Sequence, residues 1–439
     1  MKFSNLPLSL TDMSAPVIGI ASRTQTPKGL RLHIGLFGRR NAGKSSLINA
    51  LTNQKIAIVS DVPGTTTDPV EKACELAPIG PVVFIDTAGV DDVGELGGLR
   101  TERSLAVLGW VDVALIVCDA KALTESELEL IRTVKSTATP TVVVLNKADT
   151  ADAKELIATQ EQVRSLGYEP VTVCASQKLN IDAVREAIVK LAQNAVEPDL
   201  PLLGDLVHPG DTVMLVTPID TGAPKGRMIL PQVQAIREVL DADAKSIVVR
   251  ENRLAETLTN EKEPPAFVVT DSQVVQSVVA QTPKTIPVTT FSIQMAYSKC
   301  DLVEMARGAA MIDFLHPGDK VMICETCSHH PQPDDIGRKK LPRWLAKKVG
   351  GELDIEVVVG KDFPVDLTPY KLILQCGGCV VTRRHMLTRL AQAKRQNIPM
   401  TNYGVAISHL QGVLERALEL HPKALKAFHE AREIFANHF

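Results

Sequence analysis

The stretch GLFGRRNAGKSSLIN (residues 35–49) decides how the N-terminal part of the chain is interpreted. Residues 38–45 follow the pattern G-x-x-x-x-G-K-S, which is typical of a phosphate-binding loop. The loop lies between a short apolar run, Leu32–Phe37, and a helical run that starts at Ser45. Glycines let successive backbone N–H groups point at one anion, and the following helix adds the positive end of its dipole. The stretch therefore predicts a nucleotide site.

The side chains of this loop have distinct expected roles. The ammonium of Lys44 is suited to neutralise the β- and γ-phosphates, and the hydroxyl of Ser45 is suited to bind Mg²⁺. We predict nucleotide contacts for the following residues of the stretch: Gly38, Asn41, Ala42, Gly43, Lys44, Ser45 and Ser46.

Three further motifs follow in an order that predicts guanine as the base. DTAG (residues 86–89) ends an apolar strand, which brings Asp86 near the metal and the Gly89 N–H near the γ-phosphate. NKAD (146–149) ends another strand, and the Asp149 carboxylate can accept two N–H groups of guanine that adenine lacks. Those two bonds could discriminate by about 10²–10⁴. CAS (174–176) can offer the Ala175 N–H to the guanine oxygen, so the predicted base-binding residues are Asn146, Lys147, Asp149 and Ala175.

A threonine-rich loop, DVPGTTTD (residues 61–68), can supply a second hydroxyl to Mg²⁺. We assign this role to Thr66, so that the predicted magnesium ligands are Ser45, Thr66 and Asp86. The predicted catalytic groups are Lys44, Thr66, Asp86 and Gly89.

On these motifs, the N-terminal part resembles the small GTPases related to the bacterial tRNA-modifying GTPase. Asn41 and the GTT run at residues 64–66 match the subgroup in which the resemblance implies potassium-stimulated hydrolysis, with K⁺ near Asn41. Val90 stands where Ras-like proteins have a water-orienting glutamine, and a valine cannot orient water. Hydrolysis must then depend on the metal ions, on K⁺ near Asn41, or on a carboxylate among Asp91, Asp92 and Glu95. These alternatives stay open.

Length and pattern divide the chain into several parts. At 439 residues it is too long for one ordinary core. Up to about residue 196, helical segments alternate with the strand candidates Leu32–Phe37, Val82–Ile85, Val113–Val117, Thr141–Leu145 and Val171–Val173. This alternation predicts a mostly parallel sheet. The expected fold class is α/β: an N-terminal Ras-like P-loop GTPase domain followed by two smaller α/β domains.

We place the expected boundaries at an N-terminal arm (residues 1–30), the GTPase domain (31–199), a middle or dimerisation domain (200–290) and a C-terminal domain (291–439). The middle and C-terminal domains contain two similar stretches, VHPGDTVM (207–214) and LHPGDKVM (315–322). They are either a partial internal repeat or only a favoured turn before an apolar strand.

Composition excludes some classes of function. The formal net charge is −3, and four Tyr and two Trp leave little material for stacking on bases, so we expect no nucleic-acid partner. No apolar run of about 18 residues occurs. The stretch Met1–Leu30 lacks the charged-then-apolar pattern of a signal peptide. We therefore expect a cytoplasmic protein that does not bind a membrane.

Four of the eight cysteines form two pairs, Cys324/Cys327 and Cys376/Cys379, and both pairs follow apolar strand candidates. The pairs can therefore converge at one sheet edge. Their spacing fits a structural zinc site or an iron–sulfur cluster, and a redox dithiol fits less well because the pairs are widely separated. The spacing alone does not choose among them.

Taken whole, the chain resembles the family of FeFe-hydrogenase maturation GTPases, the HydF family. The matching stretches are CSH (residues 327–329), CGGC (376–379), HPQPDDIG (330–337), PKGR (224–227) and LPQVQ (230–234). The resemblance implies that Cys327, Cys376 and Cys379 hold a 4Fe–4S cluster, with His329 as a replaceable fourth ligand. Cys324 and Cys300 fall outside the family pattern, and Cys324 is either a bystander or a replacement for His329.

The resemblance also implies a function and partners: a GTP-hydrolysing scaffold, acting as a homodimer, that receives a two-iron precursor from radical-SAM maturases and delivers it to the hydrogenase apoprotein. The expected cofactors are GTP, Mg²⁺, K⁺ and the 4Fe–4S cluster. Two alternatives from other classes are an RNA- or ribosome-associated GTPase with a structural zinc site and a redox-responsive regulatory GTPase that uses Cys324 and Cys327.

Overall fold

The computed structural model describes residues 28–52, 70–89, 106–137, 139–194, 200–219, 228–326, 335–361 and 363–437. Strands in these ranges form three sheets, which follow one another along the chain. None of the helices described is long and apolar enough to cross a membrane.

The first sheet has the strand order β2-β3-β1-β4-β5-β6, and only β2 runs antiparallel to its neighbour. Its strands are β1 (Leu32–Phe37), β2 (Val70–Leu76), β3 (Gly80–Asp86), β4 (Val113–Asp119), β5 (Thr141–Asn146) and β6 (Val171–Thr172). Its helices are α1 (Lys44–Thr52), α2 (Glu125–Ser136), α3 (Ala153–Ser165) and α4 (Ile181–Asn194). The central strand β4 is buried along its whole length, as a sheet covered on both faces requires.

The five strand candidates correspond to β1, β3, β4, β5 and β6. The remaining strand, β2, was not predicted, because its sequence VEKACEL mixes charged and apolar residues and lies at the edge of the sheet. An edge strand needs only one buried face, so it leaves no continuous apolar run.

The second and third sheets have four parallel strands each. The second contains β7 (Thr212–Val216), β8 (Lys245–Val249), β9 (Phe267–Thr270) and β10 (Val288–Thr290), with helices α5 (Leu230–Asp241), α6 (Leu254–Asn260) and α7 (Val275–Gln281). The third contains β11 (Lys320–Glu325), β12 (Asp354–Val359), β13 (Leu372–Gln375) and β14 (Met400–Asn402). The helices from residue 291 onward are α8 (Phe291–Lys299), α9 (Leu302–Ala309), α10 (Leu341–Val349), α11 (Arg383–Arg395), α12 (Tyr403–Leu410), α13 (Leu414–Ala417) and α14 (Pro422–Ala436). The expected fold class is confirmed: α/β, with a mostly parallel first sheet and further α/β parts after it.

The two smaller sheets share one strand order. The orders β8-β7-β9-β10 and β12-β11-β13-β14 both place the first strand between the second and the third. Each first strand follows the same turn, in which the N–H of His208 or His316 donates to a carboxylate three residues later, at 2.8 and 2.7 Å. The two HPGD stretches therefore do more than form a favoured turn: they begin the corresponding strands of two sheets built alike.

Helix α8 joins the cores of the second and third sheets. Phe291 and Met295 belong to the apolar cluster of the second sheet, whereas Ile293 and Ala296 belong to that of the third. Both cores therefore depend on the same helix.

The first and third parts of the chain contact each other around Trp110. Its indole stacks on His385 of α11, with ring centroids 6.3 Å apart. The Lys361 ammonium lies 3.3 Å from the centre of the Trp110 ring and also pairs with Glu71 of β2. Trp110, His385 and Lys361 are called the docking contact below.

Candidate functional sites

The phosphate-binding loop connects β1 to α1 as predicted, and its backbone requires glycine at two positions. Gly38 has φ +145°, and a Cβ there would lie 2.1 Å from the Val117 carbonyl oxygen. Gly43 has φ +94°, and a Cβ there would lie 2.2 Å from the Asn146 amide nitrogen. Because any side chain at either position would collide with its neighbour, only glycine lets the loop pack this closely.

Lys44 and Ser45, the first residues of α1, have partners at the loop and at β3. The Lys44 ammonium is buried and donates to the carbonyl oxygens of Gly38 and Arg39, at 3.0 Å each. The Ser45 hydroxyl donates to the Asp86 carboxylate at 2.9 Å. Burial raises the pKa of Asp86, while the Ser45 hydrogen bond and the Lys44 charge oppose that rise. A hydroxyl and a carboxylate side by side near a lysine form a donor set that suits Mg²⁺ beside phosphates.

Asn146 connects the two loops of the predicted base site. Its amide nitrogen donates to the Ala42 carbonyl at 2.9 Å, and its amide oxygen accepts the Ala175 N–H at 3.0 Å. The Cys174 thiol lies 3.0 Å from the Asp149 carboxylate. Asn146 therefore holds the phosphate-binding loop and the Ala175 loop together, and Asp149 lies beside them.

The predicted nucleotide residues surround one cavity of about 410 Å³, which lies within the usual range for ligand pockets. The lining residues that the sequence predicted are Asn41, Gly43, Lys44, Ser45, Ser46, Asn146, Lys147 and Asp149. Thr150 and Ser176 also line it and were not predicted, although each directly follows a predicted residue. Gly38, Ala42, Asp86 and Ala175 contact lining residues. Gly89 ends a described range, and Thr66 and Val90–Glu95 lie outside the described residues.

Asp119, which pairs with the cavity-lining residue Lys147, was not predicted from the sequence. Its carboxylate lies 3.1 Å from the Arg39 guanidinium and 3.3 Å from the Lys147 ammonium. Burial alone would raise the pKa of Asp119, but hydrogen bonds from the Lys121 N–H and from Lys147 hold it below its usual value. The signal available in the sequence was its position at the carboxyl end of β4, the edge at which Asp86 and Asn146 also lie.

The second candidate site lies at the carboxyl ends of β11 and β13, which are paired in parallel. Cys376 directly follows β13, and its N–H donates to the Cys324 carbonyl at 2.9 Å. Its sulfur lies 3.2 Å from the Thr326 N–H nitrogen, 3.1 Å from the Thr326 hydroxyl and 3.5 Å from the Gln375 amide nitrogen. Hydrogen-bond donors around a thiolate are typical of metal and iron–sulfur ligands, so Cys376 suits that role.

Cys379 is half-buried and contacts the apolar cluster of the second sheet. It lies on the same loop as Cys376, where Gly378 has φ +66°. Cys327 and His329 lie outside the described residues. Among the residues that are described, no three His, Cys, Asp or Glu side chains are grouped to hold a metal ion.

Cys324 lies within β11 rather than after it, in contrast to the sequence interpretation. It is fully buried in the apolar cluster of the third sheet. Burial raises the pKa of its thiol to about 12. Because its side chain lies wholly inside the apolar cluster, Cys324 has the surroundings of a small core residue. Cys300 is buried in the same cluster.

Three family models match the chain in order. "50S ribosome-binding GTPase" matches residues 33–147, "Hydrogen maturase F dimerization domain" matches 202–300, and "Hydrogen maturase F tetramerization domain" matches 303–420.

The curated relatives match only the N-terminal part. The chain is 38% identical over 167 residues to the tRNA modification GTPase MnmE of Trichormus variabilis, covering 37% of this chain and 34% of the relative. It is 34% identical over 172 residues to the GTPase Der of Wolinella succinogenes, covering 37% and 36%. The chain thus spans about a third of the length of these relatives.

Among solved structures, Aquifex aeolicus Era bound to GDP and AlF4⁻ is 21% identical with a TM-score of 0.33, over 52% of this chain and 97% of that one. The two models that match after residue 200 both describe domains of hydrogen maturase F, whereas the first describes a more general GTPase domain. With a GTPase domain followed by both hydrogen maturase F domains, the chain belongs to the hydrogen maturase F family.

Proposed function

We propose that the chain is a GTP-hydrolysing scaffold and carrier in FeFe-hydrogenase maturation. It would hold a 4Fe–4S cluster and deliver a two-iron precursor, made by radical-SAM maturases, to the hydrogenase apoprotein. The observation that carries the proposal is the combination on one chain of hydrogen maturase F domains, a cavity lined by the phosphate-binding loop, and a cysteine sulfur surrounded by hydrogen-bond donors. A domain described as a dimerization domain supports a homodimer as the acting form.

In the nucleotide cavity, Lys44 would exchange its two carbonyl contacts for β- and γ-phosphate oxygens. Ser45, Thr66 and Asp86 would hold Mg²⁺, Asn41 would bind K⁺, and the Gly89 N–H would contact the γ-phosphate. A water oxygen bonds to the γ-phosphorus while the bond from that phosphorus to the bridging oxygen breaks, which yields GDP and phosphate and releases one proton to the solvent. Lys44 disperses the charge that develops on the departing GDP.

At the sheet edge, Cys327, Cys376 and Cys379 would hold the cluster through three thiolates, with His329 as the fourth, exchangeable ligand. When bound, the cluster would supply one iron with an exchangeable coordination position, the one that His329 would occupy. Thr326 and Gln375 orient the Cys376 sulfur and stabilise its negative charge through their hydrogen bonds.

The proposal is tested by anaerobic purification of the full chain with measurement of iron, sulfide, zinc and GTP hydrolysis. Lys44→Ala should abolish hydrolysis and keep the iron, because the two sites lie on different sheets. Cys376→Ser should lose the iron and keep hydrolysis. Lys154→Ala, which removes an exposed lysine of α3, is the matched control and should change neither.

A colourless wild-type protein with stoichiometric zinc would overturn the iron–sulfur assignment. A folded Lys44→Ala variant that loses its iron would contradict the independence of the two sites. So would a folded Cys376→Ser variant that no longer hydrolyses GTP.

A further inference from the structure

The carboxyl ends of three neighbouring strands bring polar groups together around the Cys376 sulfur. Glu325 ends β11 and Thr326 follows it. Gln375 ends β13 and Cys376 follows it, and Tyr403 follows β14. In the third sheet the strand order reverses between β11 and β13, which is where open parallel sheets place their ligands.

The Tyr403 hydroxyl lies among these polar groups. A Cβ built on Gly337 would lie 2.5 Å from the Tyr403 hydroxyl oxygen and 2.7 Å from a Glu325 carboxylate oxygen. The two oxygens therefore lie close together beside Gly337. Glu325 is only 3% exposed and already has a partner, because the Arg338 guanidinium donates to it at 2.9 Å.

The hydroxyl of Tyr403 is buried and has no hydrogen-bond partner within the described part of the chain. A buried hydroxyl without a partner is destabilising, and such groups in folded proteins call for an explanation. The Cys376 and Glu325 side chains lie near enough to interact electrostatically with this phenol. A phenol keeps its proton at neutral pH, so the hydroxyl is available as a donor.

We propose that Tyr403 donates a hydrogen bond to a sulfur atom of the iron–sulfur cluster held at Cys376, either the thiolate or an inorganic sulfide. This inference rests on the proposed function, since it requires a cluster at that edge. Tyr403 then raises the reduction potential of the iron–sulfur cluster and slows its loss of iron, in addition to the donors on Thr326 and Gln375. Hydrogen bonds to cluster sulfurs favour the more negative, reduced state and so raise the reduction potential.

The test compares Tyr403→Phe with a matched control, Tyr370→Phe. Both variants lose only a phenolic oxygen from the third part of the chain. The Tyr370 hydroxyl, however, is satisfied, because it donates to Glu356 at 2.8 Å. The full chain is studied in two forms, the reconstituted cluster form and the iron-free form obtained by anaerobic chelation.

In the iron-free form, Tyr403→Phe should raise the thermal unfolding midpoint by about 2–4 °C, because it removes an unsatisfied buried hydroxyl. Tyr370→Phe should lower the midpoint. In the cluster form, Tyr403→Phe should shift the reduction potential in the negative direction and lose iron to a chelator faster than wild type. Tyr370→Phe should match wild type in both cluster measurements.

Two results would overturn the inference. A lower unfolding midpoint of iron-free Tyr403→Phe would mean that the hydroxyl is already satisfied by the protein. An unchanged reduction potential would mean that the hydroxyl does not contact the cluster. Either result with a wild-type protein that carries iron and sulfide would leave the proposed function intact. A wild-type protein without a cluster would reject both.

Discussion

Cys324 lies within β11 and Cys376 directly follows the neighbouring strand β13, and their surroundings differ sharply. The Cys324 side chain is fully buried among apolar residues, and the Cys376 sulfur is half-buried among hydrogen-bond donors. The first environment offers no polar partner to the sulfur, whereas the second offers hydrogen-bond donors from Thr326 and Gln375. Their different surroundings therefore predict different responses to substitution.

We expect Cys324→Ala to retain the iron content of wild type and to lower the free energy of unfolding by about 1 kcal/mol, through the small cavity that it leaves. Cys324→Ser should be worse by about 1–3 kcal/mol, because it buries a hydroxyl in an apolar cluster. Iron-to-protein ratios and denaturation midpoints check both. Iron loss from a folded Cys324→Ala protein would instead assign that sulfur to the cluster.

At the residue scale, most residues that line the first cavity were predictable from the sequence, and Asp119 beside it was not. The loop from Gly38 to Ser45 is one continuous stretch, so its required glycines and its lysine can be recognised directly in the sequence. Asp119 joins Arg39 to Lys147 only after three separate segments have folded. The burial of Cys324 follows from the register of β11 in its sheet, which the spacing of the cysteines does not reveal.

Among the elements, one carboxylate connects three helices of the C-terminal part. Asp313 lies in the 3₁₀ helix Ala310–Phe314 and accepts from Lys348 of α10 at 2.8 Å and from His409 of α12 at 2.9 Å. The Arg432 guanidinium of α14 lies 3.1 Å from its other oxygen. Burial alone would raise the pKa of Asp313, but the hydrogen bonds from His409 and Lys348 hold it well below its usual value.

We expect Asp313→Asn to lower the free energy of unfolding at pH 7 by about 1–3 kcal/mol. A depressed carboxyl pKa stabilises the folded state above the unfolded pKa, and this stabilisation is lost as the pH falls through the folded value. The difference between variant and wild type should therefore shrink below about pH 4. Thermal unfolding from pH 7 to pH 3 measures this, with the exposed Asp354→Asn as the control. A difference that does not change with pH would show that the Asp313 charge is not the cause.

The similarity of the second and third sheets is also a property of elements. Their turns were visible in the sequence as two HPGD stretches, but the shared strand order was not. Strand order is fixed by pairing between residues far apart, such as Val213 with Phe267 and Val321 with Leu372. A short similar stretch therefore indicated a possible repeat without establishing one.

In the whole molecule, the docking contact holds the first part of the chain against the third. Trp110 is 8% exposed, although it lies at the junction of two separately built sheets. His385 lies in α11, which begins shortly after Cys379, and Trp110 lies just before the strand β4 (Val113–Asp119) of the GTPase domain. The succession of three parts was predictable from alternation and length. Their docking was not, because contacts between residues 110 and 385 leave no periodic pattern.

We expect Trp110→Ala to speed amide hydrogen exchange around residue 110 and at the start of α11, because it removes the stacking and cation–π contacts of the interface. Exchange in the phosphate-binding loop should stay unchanged. Trp344→Ala, which removes the indole of α10, is the matched control. Equal exchange at α11 in wild type and Trp110→Ala would mean that the contact does not hold the two parts together.

The docking contact has a practical optical consequence. The chain has only two tryptophans, so replacing Trp344 with Phe leaves Trp110 as the sole indole. Trp110 would then emit from a ring that contacts the His385 imidazole and the Lys361 ammonium. If the two parts separate, water reaches this ring and its fluorescence emission shifts to longer wavelengths. The protein thus carries its own fluorophore at the junction, and GTP or a partner can be titrated against it without an added dye.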